Sequence, residues 1–438
     1  MSMEKGNEPK DPREHSSEEQ AGQHEPESPE EFSFLQERIK KEPVDKKKLV
    51  RKIAQVAGLG LVFGLAASLS FYALKPWAET KFQKKETEVT IPKDEEDDAS
   101  KEEEQKEEPQ AAPTLTVDSY EEMNRALYAV VKEADKSVVE VTGIRADDEW
   151  TNKSFDSVNS VSGAIVYNNG QQLLIVCKSS IVQNSDSLAV VFADGSTCQA
   201  SVKRQDDNLG IAVVGVANSE IGDSTWNQIK VGTLGNSNVI NRGDTVIALG
   251  RPFGYNGGVG YGIVSSIKNE TVLADGKFDL ISTDIPGTAK GTGVLINIDG
   301  EIVGIIDQDV LSEPGKNFTT ALAISNVKEE LELLSNGVSV PYIGIRGTDV
   351  TEEISAQQGI PRGVYVKEVE VDSPAMAAGI QSGDVILKFN KTTVSGLDGF
   401  YNIMMSQKTG DSVKIQGQRR GANGYVDVEF TVTIGSKE

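Results

Sequence analysis

His15 and His24 are the only imidazoles among 438 residues, and both lie within the first 52. An imidazole is the usual group that takes the proton from a serine or cysteine nucleophile near neutral pH. Everything beyond residue 52 must do its chemistry without one. Lys290 and Thr292 form a base and nucleophile pair only if burial lowers the lysine pKa by several units. The run Ala289-Lys290-Gly291-Thr292-Gly293 offers no apolar cover, so Lys290 reads as an exposed loop lysine. Cys177 has no histidine to activate it and reads as an apolar strand-end thiol. Cys177 and Cys198 are the only cysteines; the sequence leaves their pairing open, with two buried small side chains the preferred reading. Asp206 and Asp207 read as turn caps. No metal or cofactor is expected.

The elements that must position these groups follow from charge and hydropathy. The formal net charge is -23, and an acidic chain repels polyanions, which argues against nucleic acid as a partner. Much of the acid lies in residues 1–52 and 75–117; within the latter, residues 86–108 carry 12 acids against 3 lysines. Both segments are too polar to offset chain entropy and are expected to be disordered. Between them, residues 53–74 hold no charged side chain, and 22 residues at about 1.5 Å each span a bilayer core. Lys46, Lys47, Lys48, Arg51 and Lys52 crowd the N-terminal flank. The expected arrangement is a single-pass cell-membrane protein with a cytoplasmic N-terminus and extracytoplasmic C-terminal domains.

Beyond residue 117, Ser119 and Glu122 read as a capping box opening a helix to about residue 134. Short β-branched runs follow at 138–141, 164–166, 173–176, 188–192, 211–216, 245–249 and 301–306, separated by Asn-Gly, Asp-Gly and Gly-Asp turns. That spacing predicts an antiparallel sandwich or barrel closed by a helical stretch near 326–334. Residues 337–438 make a separate small domain, with strands near 363–369, 384–389, 412–416 and 426–434 and an amphipathic stretch at 397–405.

The order of motifs resembles the HtrA (DegP-like) family of membrane-associated serine proteases. It is carried by Ser162-Gly163-Ala164-Ile165, Asp194-Gly195-Ser196, Leu234-Gly235-Asn236-Ser237, Gly250-Arg251-Pro252-Phe253-Gly254, Gly262-Ile263-Val264-Ser265, Thr283-Asp284 and Asn297-Ile298-Asp299-Gly300. The resemblance implies a mainly β chain, with a trypsin-like double β-barrel at 118–336 and a PDZ domain at 337–438. It also implies a Ser-His-Asp triad. Matched motif by motif, the histidine position holds Ser180, the aspartate position Gly210 and the serine position Gly291, with Thr292 as the alternative to Gly291. All three positions are altered, which implies a degenerate, pseudoprotease-like member.

In the last domain, Tyr342-Ile343-Gly344-Ile345 resembles the carboxylate-binding loop of HtrA-type PDZ domains, and Ser373-Pro374-Ala375 through Gly383-Asp384-Val385-Ile386 resembles their long second motif. Leu397, Phe400, Tyr401 and Met404 are the candidate pocket residues, although their helical spacing suits ordinary core as well. The leading expectation is a non-catalytic, chaperone-like or adaptor protein that binds protein C-termini or unfolded peptide segments outside the membrane. The alternatives are a serine endopeptidase of extracytoplasmic protein quality control and an oligomeric surface scaffold. The resemblance implies a homotrimer.

Overall fold

A computed structural model describes residues 88–94, 116–145, 159–308 and 317–438. All of them belong to one compact unit, Lys84–Glu438. The expected transmembrane segment at 53–74 and the N-terminal tail lie outside the described residues, and no helix among the described residues is long and apolar enough to cross a membrane.

The first barrel is built from β1 (Val138–Ile144), β2 (Ser160–Asn168), β3 (Gln172–Lys178), β4 (Ser187–Val191), β5 (Thr197–Asp206) and β6 (Ile211–Ala217), closed in the order β1-β2-β3-β6-β5-β4. The second has β7 (Thr245–Arg251), β8 (Gly258–Leu273), β9 (Gly276–Pro286), β10 (Thr292–Ile296), β11 (Ile302–Asp307) and β12 (Phe318–Ala323), closed as β10-β11-β12-β9-β8-β7. Closure leaves neither barrel an open sheet edge. β3 and β6 read as almost unbroken apolar runs because both of their faces are covered. Ile175, Cys177, Val214 and Val216 point into their own barrel. Leu174, Val176, Ile211 and Val213 point instead into a core shared with Ile247, Leu249, Val294 and Ile296 of the second barrel.

Two helices close this unit. The first runs Val117–Ala134, and its cap is Thr116, whose side chain accepts from the Ser119 N–H, so the helix starts ahead of the expected Ser119 capping box. The second, Lys328–Ser335, buries Leu331 and Leu334. Residues 88–94 depart from the expectation of disorder. Val89 is buried, its N–H donates to Asn336 Oδ1 at 2.9 Å, and Asp94 pairs with Lys328 at 2.8 Å. Val89 and Ile91 are diluted by their acidic neighbours in any composition window, yet the two apolar side chains are enough to dock the segment.

The last domain is a sheet in the order β13-β14-β15-β17-β18, from β13 (Ile345–Asp349), β14 (Val364–Val369), β15 (Val385–Phe389), β17 (Ser412–Gly421) and β18 (Gly424–Thr433), with the short β16 (Thr392–Thr393) on β15. The helix Leu397–Met405 packs on it through Phe400, which meets Phe389 edge-on at 5.6 Å. β13 stands at the sheet edge, and beside it arrives the tip of the β8–β9 hairpin from the second barrel.

Candidate functional site

Two places were expected to carry chemistry, and the fold treats them differently. At the seam between the barrels, the Ser179 N–H donates to the Gly210 carbonyl at 2.8 Å, which ties the expected histidine and aspartate segments together. Lys178, Gly210 and Thr292 line one small cleft with Ser162, Gly293 and Asp307. The space left is about 20 Å³, room for a single water and not for a substrate side chain. Lys178 Nζ and Asp307 Oδ1 meet across it at 2.9 Å, and both side chains are 11% exposed.

Neither candidate nucleophile position is armed. A Cβ on Gly291 would lie 2.7 Å from the Pro252 carbonyl oxygen, so this backbone has closed on a residue without a side chain. The Gly291 N–H donates to the Thr288 carbonyl at 2.8 Å. An amide bound in that way is not presented to a developing oxyanion. Thr292 is buried, and its Oγ1 accepts from the Ser162 N–H at 3.0 Å. Lys290 is exposed. Ser180 opens a four-residue helical turn, Ser180–Gln183, and the described residues include no histidine. Cys177 is buried and free, and burial pushes its thiol up to about 12, which keeps it protonated. Cys198 is also free but only partly buried, and its thiol donates to the Glu220 carbonyl. The two do not pair. Asp206 accepts from the Asn208 N–H in a turn, and burial raises its carboxyl to about 7.

At the loop before β13, the geometry suits a carboxylate. The N–H groups of Ile343, Gly344 and Ile345 converge on one point. Gly344 makes this turn at φ 89, and a Cβ there would meet Ser373 Cβ at 2.4 Å. Tyr342 is buried against the loop, its hydroxyl donating to Glu370 at 2.7 Å. Burial opposes ionisation of Glu370, but hydrogen bonds from Lys437, Tyr342 and Arg346 outweigh it and hold the carboxyl at about 2. Of the candidate pocket side chains, Leu397, Phe400 and Met404 are buried in the core of this domain. Tyr401 turns to the barrel and meets Phe278 of β9 edge-on at 5.5 Å.

What converges with the three amides is the carboxylate of Asp275, which the sequence reading did not single out. It sits in an Ala-Asp-Gly turn, in sequence no different from the turns at Asp194-Gly195 and Asp299-Gly300. The Lys178–Asp307 pair also escaped it, because 129 residues separate the partners.

The sequence matches the Trypsin-like peptidase domain over residues 161–305 and the PDZ domain over residues 341–430. In sequence the chain is similar to members of the HtrA family. Among its relatives is serine protease Do-like HtrB of Bacillus subtilis, 29% identical over 292 residues that cover 62% of each chain. A probable periplasmic serine endoprotease DegP-like of Halomonas elongata is 29% identical, over 63% of this chain and 56% of the relative. Serine protease Do-like HtrA of Lactococcus lactis is 24% identical, over 72% of this chain and 85% of its own length. The chain thus spans less than two thirds of the length of two of these relatives. In fold it is similar to the HtrA-type protease AlgW with a bound decapeptide, at a TM-score of 0.51 and 23% identity, covering 71% of this chain and 99% of that one.

Proposed function

We propose that this HtrA-family chain is a non-catalytic binding protein, anchored in the cell membrane through residues 53–74, that uses its PDZ domain to hold exposed protein termini outside the membrane. The reading is supported above all by the seam between the barrels. A fold can keep its shape after losing its site, because function resides in the site. Here the triad positions are Ser180, Gly210 and Gly291, the Gly291 N–H is already bonded, and an ion pair fills the cleft. The amide array at Ile343–Ile345 supports the second half, since three convergent N–H groups suit the carboxylate of a chain end laid along the β13 edge.

The relatives' names favour a second reading, a serine endopeptidase of extracytoplasmic quality control. One experiment separates the two: full-length protein is incubated with denatured casein and with a fluorophosphonate probe. The proposal expects neither cleavage nor labelling. Labelling that disappears on Thr292→Ala or Ser180→Ala would establish the endopeptidase.

Assembly into a homotrimer or scaffold belongs to the same proposal. The Val117–Ala134 helix leaves Val117, Tyr120, Met123 and Tyr128 more than half exposed, an apolar face suited to a second copy. The solution mass of the purified protein is the measurement.

A further inference from the structure

Asp275 stands at the tip of the β8–β9 hairpin, in the left-handed region at φ 65, and is 1% exposed. Its Oδ2 accepts from Ile343 N–H at 2.7 Å and Gly344 N–H at 2.9 Å, and its Oδ1 accepts from Ile345 N–H at 2.9 Å. Its own N–H donates to the Ile345 carbonyl at 2.6 Å. A carboxylate on three consecutive amides, with the same residue's N–H on the first carbonyl of the edge strand, is the bond set that the last residue of a peptide would make as an added strand. An isolated carboxylate is costly to bury, and these donors offset that cost. The hairpin is gripped on both sides, by Lys277 on Asp398 of the groove helix at 3.3 Å and by Arg346 Nη1 on the Val272 carbonyl at 3.3 Å.

We infer that Asp275 is an internal ligand of the PDZ groove, a side-chain carboxylate standing in for a chain terminus, so that an external C-terminus binds only by displacing the β8–β9 tip. The inference rests on the proposed reading of this groove as a site for chain ends. Its occupant sets the ligand class: a free terminal carboxylate, since a terminal amide cannot replace the acceptor atoms that Asp275 supplies. Because the hairpin is tethered beside the groove, its effective concentration is on the order of millimolar, and an external peptide competes against that.

The test compares full-length protein with Asp275→Asn and Asp275→Gly, both of which accept the turn's positive φ. Fluorescent decapeptides ending in Ala, Val, Leu or Phe are titrated as free acids and as C-terminal amides, and hydrogen exchange is followed at the Ile343, Gly344 and Ile345 amides. The expected result is at least tenfold tighter binding of free-acid peptides by both variants, no gain for the amides, and at least tenfold faster exchange in the absence of peptide. Peptide affinity equal in wild type and variants overturns the inference. If no peptide binds any form, the chain-end reading fails, and exchange alone decides: faster exchange in the variants upholds Asp275 as the occupant, and unchanged protection overturns it.

Discussion

Lys178 at the end of β3 and Asp307 at the end of β11 join the two barrels through a 2.9 Å ion pair at the seam where a protease would place its triad. Removing one partner takes the ion-pair counter-charge from a group that is almost wholly buried. Lys178→Met should therefore destabilise the protein by about 3–5 kcal/mol, whereas Lys178→Met with Asp307→Leu should recover most of that loss. Urea denaturation followed by tryptophan fluorescence checks both, and a mild single variant would mean that the pair is solvated.

Rewriting the three proposed triad positions should not create an enzyme. In the variant Ser180→His, Gly210→Asp, Gly291→Ser, the new Cβ at 291 meets the Pro252 oxygen. The expected outcome is no fluorophosphonate labelling and a stability loss of about 1–3 kcal/mol from the crowding at 291. Stoichiometric labelling would show that the loop reopens easily.

Gly344→Val should lower stability as well as peptide binding. The position combines φ 89 with Ser373 and Tyr342 inside contact distance, and left-handed backbone alone costs a branched residue about 1–3 kcal/mol. A drop in the thermal midpoint without any peptide present is the expected reading, which makes Asp275 the cleaner position for testing the groove.

Acid should stabilise the closed form. Burial raises the Asp206 carboxyl to about 7, raises Glu330 well above its ordinary value, and raises Asp275 to about 6 against the pull of three N–H donors. Among the described residues neither carboxyl oxygen of Glu330 has a hydrogen-bond partner, and all three groups line one small cavity between the barrel and the PDZ domain. With folded values above the unfolded ones, the native state binds more protons between about pH 4 and 7. That stability is complete below the unfolded pKa and is lost as pH rises through the folded values. Glu370, held at about 2, acts only below this window. The thermal midpoint should rise on the order of 5 °C from pH 8 to pH 5.5, and Glu330→Gln should raise it at pH 8. A flat profile would contradict these assignments.

The barrel was legible where its strands are covered on both faces. β3, β6 and β7 are continuous apolar runs, and their β-branched content announces them. The β8–β9 ribbon was not announced. Its exposed faces carry Lys268, Asn269 and Glu270, and a sixteen-residue strand with so much polar surface resembles loop. The proposed loss of the triad at Ser180, Gly210 and Gly291 is an expectation from motif spacing, which needs only residue identity. Its consequence for backbone packing could not be read that way, since the Pro252 carbonyl that closes over Gly291 is brought there by tertiary folding. The loop Tyr342-Ile343-Gly344-Ile345 stood out by motif; the carboxylate inside it comes from a hairpin about seventy residues earlier, a distance over which sequence pattern carries no signal.

The two thiols lie at different depths against one core of the first barrel. Cys177 faces the sealed interior and Cys198 lies near the surface, on strands of the same closed sheet. An alkylating reagent should then count one fast and one slow site per chain, and the slow rate becomes a clock for barrel opening that needs no engineered label.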